Sequence, residues 1–214
     1  MPDYEYDIFV SYRSSDEDWV RWTRENFVRP LRTLLRPALG NVQIFLDDQI
    51  ETGSSWPAFR AIALARSRLL LPILSRAYFT NDWCRLELAR MYQRERELGR
   101  RSAENPVGLI LPVIIDDGDR FPPEVRAMQA EKFHQFANPF MRVDSPRQEA
   151  FTECLRRWCP IIEQALLSAP PFNEAWETRA YDDQAKEMFR IEIMAQKTLP
   201  ALSPVSLSRK EGLT

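Results

Sequence analysis

The chain has 214 residues, 44% of them apolar, enough for one ordinary domain with a sizeable core plus an extension. Its 29 basic and 31 acidic residues leave a net charge of -2, which gives no global pull toward nucleic acid or anionic lipid. Three cysteines without a CxxC pair and a single histidine, His134, exclude a metal site of usual ligand spacing. "YDIFVSY", beginning at Tyr6, is a short run of aromatic and β-branched residues and predicts a strand. A helix follows, capped by Ser15 or Asp16, with Trp19, Trp22, Phe27, Leu31, Leu34 and Leu35 at mostly helical spacing. "NVQIFLD" predicts a second strand, "DQIETGSS" a polar loop, and "WPAFRAIALARS" a helix with Pro57 in its first turn.

"RLLLPILS" and "VGLILPVII" are apolar on both faces, as buried parallel strands are, although Pro72 and Pro112 argue against a regular ladder. Between them a helix spans about Asn81 to Leu98. "KFHQFA" is a weak strand, and a last domain helix runs from about Pro146 to Leu167. The order β-α-β-α-β-α-β-loop-β-α predicts a parallel sheet sandwiched by helices. "APPF" at Ala169 marks a boundary, dividing a domain over 1–168 from an extension over 169–214. The extension predicts one helix over about 173–196, with Trp176, Ala180, Met188, Ile191 and Ala195 along a stripe, and then a loose tail. No stretch is long and apolar enough to span a membrane, and the acidic start lacks the layout of a signal peptide, so the expected location is cytoplasmic.

In an open parallel sheet, ligands bind outside the carboxyl ends of the strands. Three polar segments leave strands at that edge: "SYRSS" from Ser11, "DDQIETGSS" from Asp47, and "SRAYFTNDWCRLE" from Ser75. The last begins a helix with a carboxylate in its apolar face, because Glu87 falls between Trp83, Met91 and Leu98 on the wheel. Arg90 and Arg94 point to the same side, so a structural ion pair competes with a functional reading. No GxGxxG, Walker or GxSxG motif is present, and the acidic pair Asp47 and Asp48 follows the second strand, unlike the pattern of a phospho-acceptor domain.

Together these segments resemble a TIR (Toll/interleukin-1 receptor) domain over about Tyr4 to Leu167. "YDIFVSYRSSDEDWV" looks like the family's first box, "IFLDDQIETGSSW" like its second strand and BB loop, and "LPILSRAYFTNDWCRLELARM" like its third strand and W-C-x-x-E helix. The resemblance implies a flavodoxin-like three-layer α/β sandwich with a five-stranded parallel sheet. It also implies cleavage of NAD+ at the nicotinamide–ribose bond, to ADP-ribose or a cyclic product, as in bacterial and plant members. On that reading Glu87 is the catalytic carboxylate. Tyr12, Arg13, Phe45, Gly53 and Trp83 contact substrate, with no metal and no cofactor. The implied partners are NAD+ and other TIR domains, met through Asp47 to Ser55 in self-assembly for defence or cell-death signalling, or a protein acting in trans. Thr52 stands where animal adaptors usually have Pro. The competing functions are a non-enzymatic TIR–TIR adaptor or virulence module and a different nucleosidase.

Overall fold

The computed structural model describes residues 3–46, 56–116, 118–178 and 183–191. The Asp47 to Ser55 segment, with Gly53, lies outside the described residues, as do Ala180, Ala195 and the final tail.

Five parallel strands form one sheet: β1 (Tyr6–Ser11), β2 (Ile44–Phe45), β3 (Ser67–Leu74), β4 (Val113–Ile114) and β5 (Glu131–Lys132), in the order β2-β1-β3-β4-β5. β1 and β3 are the long central strands, and Ile8, Phe9, Leu69, Leu70 and Leu71 are almost wholly buried. The two prolines explain how the apolar runs are used. Pro72 pairs with Ser11 at the end of the β1 ladder, so its missing N–H costs little there. Pro112 precedes β4, and its carbonyl still accepts from the Glu131 N–H at 3.0 Å. Upstream of it, only the Leu70–Ile110 bridge joins the run to β3.

The first helix comes in pieces. Asp16 caps α1 (Glu17–Trp22), a π-helical stretch covers Thr23–Val28, and α2 (Arg29–Leu39) continues to Gly40, where φ reaches +74°. Pro30 offers no N–H to the Asn26 carbonyl four residues earlier, and its ring crowds that carbonyl. The wider π turn relieves the crowding, and Gln148 Nε2 donates to the freed carbonyl at 3.0 Å. Asn26 Nδ2 donates back to Gln148 Oε1 at 2.7 Å, so two buried amides satisfy each other across the core.

Gln148 belongs to α6 (Pro146–Leu167), capped by Ser145, with the bounds the sequence predicts. α1, α2 and α6 cover one face of the sheet around the stacked rings of Trp22, Phe27 and Phe151. α3 (Trp56–Ala65) and α4 (Asp82–Glu97) cover the other. A short α5 (Pro123–Arg126) follows β4.

Two expectations need correction. "KFHQFA" is strand only at Lys132, and His134–Phe136 form a 3₁₀ turn. Phe133 and Phe136 both pack on Phe151, at 5.2 and 5.0 Å, and residues three apart share a side only on a helical turn. The extension is not one helix across its described residues. It makes α7 (Ala175–Thr178) and a 3₁₀ segment, Asp183–Phe189. Trp176 and Phe189 are both buried against the domain, while Met188 is 36% exposed. On a single helix those two aromatic residues would lie about 140° apart, too far around to bury on one surface. Among the described residues no helix is long and apolar enough to cross a membrane.

Candidate active site

Glu87 sits in the second turn of α4, a helix that the Asn81 side chain caps by accepting from the N–H groups of Trp83 at 3.0 Å and Cys84 at 3.1 Å. Its carboxylate is buried, 5% exposed, beside the carboxyl end of β1. Ser11 Oγ donates to Glu87 Oε2 at 2.6 Å. Arg60 of α3 forms an ion pair with Oε1, and both side chains are only 6% exposed. Tyr78 completes the group: its hydroxyl lies 2.8 Å from Ser11 Oγ and donates to the Cys84 carbonyl at 2.9 Å. Ser11 has one proton and gives it to Glu87, so Tyr78's one proton serves both its neighbours.

The helix pair is itself locked. Arg94 of α4 reaches to the end of α3, where the last carbonyls lack helical partners. It donates to the carbonyls of Ala65 at 2.9 Å, Ser67 at 3.0 Å and Leu64 at 3.4 Å. Arg90 instead pairs with Asp183 at 3.0 Å. The arginine on Glu87 is therefore neither of the two that the helical wheel offers. Sequence reasoning missed Arg60, Ser11 and Tyr78. Arg60 had a signal, as the one charged residue in the otherwise apolar "WPAFRAIALA".

Burial pushes the Tyr78 phenol well above the ordinary tyrosine range, and the charges of Cys84 and Glu87 add to that. Its folded value exceeds its unfolded one. The neutral phenol thus stabilises the fold fully below about pH 10, the unfolded value, and that contribution is lost as pH rises through the folded value. We expect an ultraviolet titration of native protein to leave Tyr78 un-ionised until alkaline unfolding. In Tyr78→Phe this unfolding should move to higher pH. An unchanged alkaline midpoint would contradict this account.

The residues expected to contact substrate are spread over three places. Phe45 is core, stacked on Phe9 at 4.7 Å. Tyr12 and Arg13 line a cleft of about 400 Å³ with Trp19, Ser75, Arg76 and Asp116. That cleft lies on the α1 side of the β1/β3 switch point, because Tyr12 and Ser11 point to opposite faces of the sheet. Trp83, 39% exposed, lines a separate cleft with Ala58, Ala61, Leu86, Arg90 and Lys186. Among the described residues no group of His, Cys, Asp and Glu is arranged to hold a metal ion.

The strand order describes a flavodoxin-like domain, and Glu87 is a buried carboxylate beside the carboxyl end of β1. A family model for the TIR domain matches residues 8–143, and the chain belongs to that family. It is 32% identical over 88 residues to Protein SUPPRESSOR OF npr1-1, CONSTITUTIVE 1 of Arabidopsis thaliana, a match that covers 41% of this chain and 6% of that protein. The chain thus spans a small fraction of that relative. Among solved structures, the TIR domains of the activated Roq1 resistosome are 22% identical, covering 77% of this chain and 86% of theirs, at a TM-score of 0.39. The TIR domain of the Toll-related receptor TRR-2 from Hydra magnipapillata is 16% identical, covering 71% and 98%, at a TM-score of 0.43.

Proposed function

We propose that this TIR domain cleaves NAD+ at the nicotinamide–ribose bond, to ADP-ribose or a cyclic ADP-ribose, with Glu87 as the catalytic carboxylate. The observation that carries this reading is a buried carboxylate beside the carboxyl end of β1, four residues after Trp83 on the helix that follows the third strand. Nicotinamide leaves from a positively charged pyridinium, so the reaction needs little acid catalysis. Its difficulty is the oxocarbenium-like ribose left behind, which a nearby carboxylate stabilises. At an effective dielectric of about 20, a carboxylate about 4 Å from that centre contributes about 4 kcal/mol, or about three powers of ten in rate.

Tyr12, Arg13, Phe45, Gly53 and Trp83 are the substrate contacts of this proposal, and Asp47 to Ser55 its self-association surface. Residues 1–168 form the TIR domain and 169–214 its extension, acting in the cytoplasm in defence or cell-death signalling. The Arg60–Glu87 ion pair favours a second reading, an interaction module without catalysis in which Glu87 is structural.

Concentrated protein incubated with NAD+ separates the two. We expect the wild-type chain to release nicotinamide, and Glu87→Gln to release it about a thousandfold more slowly. Intact NAD+ with the wild-type chain under assembly-promoting conditions would leave the interaction module. Release that persists in Glu87→Gln would remove the catalytic role of this carboxylate.

A further inference from the structure

Arg60 is the cation that faces Glu87 in the resting chain. Its guanidinium lies against Glu87 Oε1, and both side chains are removed from water. The other oxygen is already engaged by Ser11. A carboxylate so neutralised presents a dipole rather than a net charge, and a dipole's field on a third group falls off much faster than a single charge's. An incoming cation therefore gains little from Glu87 until Arg60 leaves. Arg60 has a route out. Ala61 and Leu86, the chain neighbours of Arg60 and Glu87, line the cleft that holds Trp83, so open space lies beside the pair and a long, flexible side chain can swing toward it.

We propose that the Arg60–Glu87 pair is an exchange site for an organic cation of the pyridinium class. In the resting chain Arg60 neutralises the carboxylate. The ring cation of the substrate displaces the guanidinium and takes up the same charge, and Glu87 is bared only when the correct charge is present. Arg60 thus acts through Glu87, as a positioning residue that makes the site selective for cationic rings over neutral ones of the same shape. This rests on the NAD+ reading for its substrate, but not for its measurement.

The test is binding of the N-methylnicotinamide cation to the full chain, with neutral nicotinamide as control. N-methylnicotinamide carries the pyridinium charge but has no glycosidic bond to break. Arg60→Gln removes the competitor and should bind the cation about tenfold more tightly, with neutral nicotinamide unchanged. Arg60→Lys should bind it several-fold more tightly, because an ammonium lacks the fork that fits a carboxylate. Glu87→Gln should lose the preference for the cation. In the wild-type chain, saturating cation should shift the Arg60 Nε–H resonance, a readout that needs no substitution. An unmoved resonance at saturation, or no tightening in a folded Arg60 variant, would overturn the proposal. Nicotinamide release is measured separately. Its absence with exchange intact would strike the hydrolase reading alone, and its presence without exchange would strike this one alone.

Discussion

Arg60→Ala and Glu87→Ala each lower the stability of the fold by about 3–5 kcal/mol, and the double substitution costs far less than the two together. Each single change leaves a full charge without its partner in a place that water barely reaches, since both side chains are 6% exposed. The penalty is that of an abandoned charge, not the net worth of the pair. Removing both charges leaves only a cavity and a Ser11 hydroxyl that can still turn to Tyr78, 2.8 Å away. Glu87→Gln falls between, because the amide oxygen still accepts from Ser11. Urea unfolding of the four proteins measures the coupling. Additive losses would mean that the two side chains do not share a charge-neutral site. The same series guards the activity measurement, because a Glu87→Ala protein that is partly unfolded would lose turnover for the wrong reason.

Phe189→Ala releases the Asp183–Phe189 segment from the domain while the sheet stays folded. Phe189 is fully buried, with its ring edge-on to Tyr92 at 5.7 Å, and truncating such a ring costs about 3–5 kcal/mol. Ala185 and Ile191 pack more shallowly on the core, and the polar holds are ion pairs: Asp183 with Arg90 at 3.0 Å, Lys186 with Asp82 at 3.0 Å, and Glu187 with Arg85 at 3.4 Å. Their carboxylates are 40–60% exposed, and pairs with one partner so open to solvent contribute about 0–1 kcal/mol each, so they cannot replace the ring. Limited proteolysis should cut Phe189→Ala promptly beyond Thr178, which Trp176 and Glu177 keep docked, while the domain's melting temperature changes little. A cooperative loss across the whole chain would show the segment to be part of the domain itself. Acid should weaken the same docking. Lys186 and then Arg85 hold the Asp82 carboxyl below the usual range, so its contribution is present above the unfolded value and lost as pH falls through the folded one.

The sequence carried the sheet and helices well, because their signals are local. Capping at Asp16, Asn81 and Ser145, and the long apolar runs of β1 and β3, mark elements without knowledge of the rest of the chain. It carried the contacts of Glu87 poorly. The wheel offers Arg90 and Arg94, but α4 turns those toward the extension and toward the end of α3. Arg60 comes from another helix, and only packing brings it in. The first box shows the same limit at finer scale. Ser11 and Tyr12 are adjacent, yet alternation along a strand sends Ser11 to the carboxylate and Tyr12 to the cleft on the far face. A one-residue difference in register decides which of them faces Glu87, and no local pattern encodes it.

Pro30 has a consequence for how the back of the domain is assembled. By breaking its own helix's ladder it leaves a carbonyl that the Gln148 amide takes up. Helix α6 can therefore dock on α2 in one rotation and at one height. A slip of one residue would strand two buried amides at once. The proline thus works as a key, trading a local hydrogen bond for a unique seating of the face opposite the candidate site.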